Sequence, residues 1–445
     1  MLSAIRGSIL SFRSSPFDTP MDEFLYYEDD GLVVMEDGKI TKVGPASTLL
    51  ADLDRSVIVT HYRDSLIMPG FIDCHVHYPQ TEIIGAFGEQ LIDWLNKYTF
   101  VAEQKFGDKS HAQITAALFL REALSVGTTT ASVFCTVEPA SVDAFFEESV
   151  KFGMRNIAGK VLMDRNAPEG LLDTAQTGYD QSKALIEKWH DKDRCLYSIT
   201  PRFAPTSSPL QMEMTGALWQ EHPGTYLQSH ISENLDEIEW VKSLFPDASG
   251  YLDVYEHFGQ TGPRAIYGHG VHLTEDEMQR LHESGTSLAH CPTSNFFLGS
   301  GLFSIAEAKR VDRPVRVGLA TDLGAGTSFS QLATMGEAYK MAQLTGYSLS
   351  AFHAFYLATR GAAEALYLED QVGSVASGME ADLIVMDLKA TPLLAHRLKY
   401  TDSLHDILFV LMTLADPRTV QATYVAGKLV ANRNSGNGQM EFHPT

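Results

Sequence analysis

The sequence predicts an α/β protein: a (β/α)8 barrel of the TIM type, joined to a small β-sandwich domain built from both chain termini. Three observations predict it. Both ends of the chain read as short strands separated by turn signals, while the middle alternates eight strand-like runs with helical spacing over roughly 300 residues. No G-x-G-x-x-G follows the first strand of that middle region, which argues against the rival open doubly wound sheet. The expected division is 1–69 and 376–445 for the sandwich and 70–375 for the barrel.

In chain order, the runs 31–35 and 39–43 flank Glu36-Asp37-Gly38, and Asp-Gly between apolar runs is a strong hairpin signal. Barrel strands are expected at 70–77, 128–134, 155–163, 196–203, 225–230, 265–269, 286–290 and 316–321. Helices are expected at 110–125, 141–152, 181–190 and 275–284, where apolar residues recur at helical spacing. Near the C-terminus, Ala381-Asp382-Leu383-Ile384-Val385-Met386-Asp387 reads as a buried strand, and 422–425 and 428–430 flank Ala426-Gly427.

The chain has 445 residues, 44% hydrophobic and 20% charged, an ordinary globular composition. Its 34 basic and 56 acidic residues give a net charge of −22. Such a charge repels nucleic acid and anionic membranes, so neither is expected as a partner. The expected partner is a small molecule. The four cysteines are scattered and form no C-x-x-C pair, which reads as reduced thiols. Arg6 interrupts the apolar N-terminal stretch, no signal-peptide pattern follows, and no run approaches the ~18 apolar residues of a membrane span. The cytoplasm is the expected location.

The chemistry begins at His75-Val76-His77, which ends the first barrel strand. Residues two apart in a strand share a face, so both imidazoles point the same way, a geometry suited to one metal ion. His230 ends the fifth strand, His269 the sixth and Asp322 the eighth. C-terminal strand ends of a barrel surround one pocket. Three histidines and a carboxylate suit zinc, with iron or nickel as alternatives. Read singly, any of these histidines is an ordinary core residue; together at the right strand ends they are not.

Further candidates surround this set. Arg202 and Phe203 end the fourth strand, offering a donor fork for a carbonyl oxygen and a ring to stack on; a rim salt bridge is the plainer reading of Arg202. Gln80 carries the donor and acceptor needed to read a heterocyclic amide edge. Glu233 can move protons near the metal, or simply stabilise the start of the helix opened by Ser232-Glu233-Asn234. Cys291 after the seventh strand reads as a loop thiol with no assured base beside it. Lys160 lies on strand three, whereas a metal-bridging lysine belongs on strand four, so one metal is expected, not two.

Met68-Pro69-Gly70-Phe71-Ile72-Asp73-Cys74-His75-Val76-His77, the later histidines, Thr321-Asp322 and Gly378-Met379-Glu380-Ala381-Asp382-Leu383-Ile384-Val385 together resemble the amidohydrolase superfamily over essentially the whole chain. Within it, His75-Val76-His77-Tyr78-Pro79-Gln80, Asp93-Trp94-Leu95-Asn96-Lys97-Tyr98-Thr99-Phe100, Thr200-Pro201-Arg202-Phe203, Gly159-Lys160-Val161-Leu162-Met163-Asp164-Arg165-Asn166 and Gln228-Ser229-His230-Ile231-Ser232-Glu233-Asn234 are similar to the guanine deaminase branch. Val101 departs from it, standing where that branch carries proline. The resemblance implies one zinc per chain (iron the alternative) held by His75, His77, His230 and Asp322, with His269 assisting the hydrolytic water. It implies guanine bound by Gln80, Arg202, Phe203 and Glu233 against His230 and Asp322, with Glu233, His269 and Asp322 catalytic, in a cytosolic homodimer. The rivals are another aminohydrolase of the superfamily, acting on cytosine, an adenosine derivative or an s-triazine, and a non-catalytic barrel scaffold.

Overall fold

The computed structural model describes residues 2–88, 90–434 and 436–445. Eight parallel strands form the barrel in chain order: Phe71–His77, Thr128–Phe134, Arg155–Gly159, Cys195–Pro201, Tyr226–Ile231, Ala265–His269, Ser287–His290 and Arg316–Leu319. Seven of them are buried along their whole length, and in the eighth only Arg316 is partly exposed. That is why they read as near-continuous apolar or small-residue runs: helices and core cover both faces of a parallel sheet. The first and eighth strands meet just past their paired segments, where Asp322 N donates to His75 O at 2.9 Å and His77 N donates to Leu323 O at 3.0 Å.

The intervening helices follow the expected spacing: Lys109–Ser125, Pro139–Phe152, Ala175–Trp189 and Glu275–Ser284. The helix Leu235–Leu244 starts later than the sequence suggests. Asn234 is its cap, with the Asn234 side chain accepting from Asp236 N, so Glu233 precedes the helix instead of lying in its first turn.

Both chain ends share one mixed sheet of eight strands. Ser3–Phe12 lies antiparallel to Leu25–Glu36 and parallel to Val59–Pro69, which pairs in turn with Leu383–Asp387 from the far end of the chain. Val420–Val425, Lys428–Arg433 and Met440–Phe442 continue the sheet beyond that strand. The Asp37-Gly38 turn joins Leu25–Glu36 to Lys39–Pro45, with φ of +49° and +83° at its two residues, which is the conformation that favours Asp-Gly there. Glu380 ties this sheet to the barrel. It accepts from Arg155 Nε at 2.7 Å and from Arg194 Nη2 at 2.5 Å, while Arg194 also reaches Asp382 at 2.7 Å. No described helix is long and apolar enough to cross a membrane.

Candidate metal and purine site

The C-terminal strand ends bring every sequence-predicted site residue into one place. His77, Gln80, Arg202, Phe203, His230, Glu233, His269 and Asp322 line a single pocket, and His75 lies in the cluster at its floor. Leu91, Trp94, Leu95 and Leu298 give the pocket an apolar wall.

At the floor, His77 Nε2 lies 3.3 Å from His75 Nε2 and 3.2 Å from His230 Nε2, and Asp322 Oδ1 lies 3.4 Å from both His75 Nε2 and His77 Nε2. Burial lowers the pKa of all three histidines, for His77 and His230 well below the ordinary value. Neutral imidazoles facing one another this closely present more lone pairs than protons, an arrangement a cation resolves. Tetrahedral zinc with bonds of about 2.0–2.1 Å has ligand–ligand edges of about 3.3–3.4 Å, so the donor spacing fits one ion. His230 Nδ1 donates to Arg202 O at 2.6 Å, which leaves Nε2 to the cluster. Asp73 accepts from Thr321 N and Oγ1 and from His75 N, joining the two strands that carry His75 and Asp322.

Above the floor, His269 Nδ1 donates to Asn295 Oδ1 at 2.9 Å, which turns Nε2 toward Glu233 (3.4 Å) and Asp322 (3.7 Å). Burial opposes charge on His269, but Glu233 and Asp322 outweigh it and raise its pKa. Burial pushes the Glu233 carboxyl up to about 7, and Ser300 Oγ donates to it at 2.9 Å. Burial works on Asp322 in the same direction, yet the hydrogen bond from His75 and the charge of His269 bring it down to about 2. The two carboxyls therefore differ: one readily carries a proton and the other remains ionised. His269 and Asp322 both have positive φ, +73° and +48°, a conformation that costs non-glycine residues energy and clusters at functional sites.

Along one side, Arg202 Nη1 donates to both oxygens of Glu103 at 3.0 and 2.7 Å, and Gln80 Nε2 approaches Glu103 Oε1 at 3.4 Å. Arg202 is 2% and Glu103 0% exposed, so this pair is no rim salt bridge. Phe203 packs edge-on to Trp240, with ring centroids 6.0 Å apart. Cys291 is buried next to this site. Its pKa is raised by burial, and its thiol points to Ala289 O at 3.4 Å, so it is not an activated nucleophile. Lys160 is engaged elsewhere, paired with Asp173.

Sequence reasoning did not find Glu103, Asn295, Ser300 or Asp73. The buried Arg202 demands an anion, but nothing local indicates which carboxylate supplies it.

The sequence profile of the Amidohydrolase family matches residues 66–430. The chain is 51% identical to the guanine deaminase of Escherichia coli (strain K12) over 435 residues, 97% of this chain and 98% of that protein. The solved structure of E. coli guanine deaminase superposes with a TM-score of 0.95 at 50% identity, covering 97% of this chain and all of that one. That of guanine deaminase from C. acetobutylicum with bound guanine in the active site gives 0.85 at 29% identity, covering 96% of this chain and all of that one. With the barrel, the strand-end histidines and aspartate, and this family match in agreement, the chain belongs to the amidohydrolase family.

Proposed function

We propose that the protein is a zinc-dependent guanine deaminase, converting guanine and water to xanthine and ammonia. The observation that carries this reading is the pocket itself, in which Gln80 and Arg202 line the same small apolar-walled space as the histidine–aspartate cluster. The similarity to guanine deaminases along nearly the whole chain supports it.

His75, His77, His230 and Asp322 would hold the ion. When bound, zinc supplies a water whose pKa falls from about 15.7 towards about 7. Arg202 donates to O6 of guanine, Gln80 reads the O6/N1 edge, and Phe203 packs against the ring. These contacts direct C2, with its amino group, toward the cluster. Asp322, ionised, takes the proton that the attacking water loses, while His269 Nε2 holds that water in line. Glu233 gives its proton to N3 as oxygen adds to C2. Asp322 passes the proton taken from water to the leaving amino group, which departs as ammonia, while the hydroxyl on C2 returns a proton to Glu233 as the carbonyl forms. The two carboxyls suit these roles because their pKa values are driven apart, to about 7 and about 2.

The four cysteines are free thiols, in keeping with a cytoplasmic setting, and the resemblance favours a homodimer. Loss of guanine absorbance with release of ammonia, measured before and after chelation and beside adenine, cytosine and an s-triazine, tests the reading. Turnover of guanine that chelation abolishes and zinc restores is the expected result. A chelation-insensitive rate removes the metal, and turnover of another substrate alone removes guanine.

A further inference from the structure

Gln80 and Arg202 approach the pocket from different elements, and one buried group touches both. Glu103 lies in the short helix Phe100–Glu103 and is fully buried. It accepts from Arg202 Nη1 with both oxygens and lies 3.4 Å from Gln80 Nε2. Resting on the reading above, we propose that Glu103 is a positioning residue that sets the hydrogen-bonding polarity of the purine edge and thereby selects an oxygen over an amino group at C6.

An ionised carboxylate only accepts hydrogen bonds, so every neighbour must turn a donor toward it. For Arg202, this consumes Nη1. Among the described residues no hydrogen bond engages its Nε or Nη2, which leaves donors for a ligand. The ring of Phe100, 5.5 Å from the guanidinium carbon, backs the same group. For Gln80, the constraint decides which way round the amide sits. Its NH2 faces Glu103, and its Oε1 faces the backbone N–H of Gly324 at 3.4 Å. Both contacts are long, so neither uses up the amide. One N–H and one oxygen lone pair remain for the pocket. Arg202 and Gln80 thus present donors to an acceptor at C6 and an acceptor to a protonated N1, the pattern of guanine. Burial raises the Glu103 carboxyl, and the charge of Arg202 and its hydrogen bonds oppose that rise.

2,6-Diaminopurine keeps the 2-amino leaving group but inverts both features, with a donor at C6 and a bare N1. In Glu103→Gln the new amide accepts from Arg202 with its oxygen and turns its NH2 toward Gln80. The Gln80 amide is then caught between that NH2 and the Gly324 N–H, both donors, and the pocket loses its fixed polarity.

The experiment measures kcat and KM for guanine and for 2,6-diaminopurine, together with zinc content, in the wild-type holoenzyme, Glu103→Gln and Glu103→Asp. In Glu103→Gln, zinc stays at the wild-type level and KM for guanine rises at least about tenfold with kcat little changed. The preference for guanine in kcat/KM falls at least about tenfold, because unpaired buried polar groups are what enforce such discrimination. Glu103→Asp keeps the charge but withdraws it by one methylene from Gln80, and lowers the preference less. An unchanged preference in both variants, or in the Asp variant alone should the Gln variant not fold, overturns the proposal, whatever happens to KM. Failure of the wild type to turn over guanine removes instead the reading on which the proposal rests.

Discussion

His269 Nε2 and Glu233 Oε2 lie 3.4 Å apart, both groups are nearly fully buried, and each has its pKa raised. A carboxyl brought to about 7 beside an imidazole that favours its proton is a pair able to exchange a proton with little cost at neutral pH. In the structure Glu233 also lies outside the helix Leu235–Leu244, so a capping role does not explain its burial.

Glu233→Gln keeps size and much of the hydrogen bonding but carries no transferable proton. Zinc content and guanine binding should persist while kcat drops at least ~10²-fold. A near-normal kcat with a slightly lowered Tm would move the shuttle to another residue.

Removal of one cluster imidazole should release the ion. His75→Ala is expected to lose bound zinc and activity together, read by elemental analysis of the purified protein. A milder route to the same end is Gly268→Ala. A Cβ at Gly268 would lie 2.7 Å from His75 Cε1, so the ring must shift and metal affinity should fall. A Gly268→Ala protein with wild-type zinc affinity would show that the ring has room to move.

Arg202→Ala should weaken guanine binding sharply and leave zinc in place. It also strands the Glu103 carboxylate without its partner, and removing one member of a buried pair typically costs about 3–5 kcal/mol. Tm should therefore fall along with affinity. In the wild type, adenine should be poorer than guanine by ~10⁴-fold or more, because it carries no amino group at C2 to lose and because a site built to donate to an oxygen leaves its donors unpaired against an amino group at C6. Comparable turnover of adenine contradicts this assignment.

Glu380 makes stability depend on pH. Burial would raise its pKa, but Arg155 and Arg194 hold it below the ordinary 4.5. A carboxyl lowered on folding contributes stability that is present above its unfolded pKa and lost as pH falls through its folded one. Glu380→Gln should thus be destabilised by about 1.5–3 kcal/mol at neutral pH, and the difference should shrink below pH 4.5. Thermal unfolding at pH 7 and pH 4 measures both, and a gap that widens in acid reverses the sign.

The barrel and the gathering of the strand-end histidines with Asp322 were legible because their signals are local. Fully buried parallel strands leave short apolar runs, and His75-Val76-His77 shows its shared face in three residues. Glu103 was not legible, since its partner Arg202 is 99 positions away and only the folded chain brings them together. The role of Asn234 was similarly masked, since Ser232, Glu233 and Asn234 are all plausible at a helix start. Only the backbone distinguishes the cap from the residue that turns into the pocket.

The seam between the first and eighth barrel strands has a consequence for biosynthesis. Asp73 and Thr321, which pair across it, are 248 positions apart, and Asp322 bonds directly to His75. The last cluster residue therefore leaves the ribosome long after the first, and a nascent chain ending before residue 322 has no complete set of donors. On the proposed zinc reading such a fragment would not capture the ion at full affinity, and cofactor acquisition would wait for the barrel to close. Metal uptake would then report on completion of the fold, and a chain truncated ahead of the eighth strand should emerge metal-poor as well as unstable.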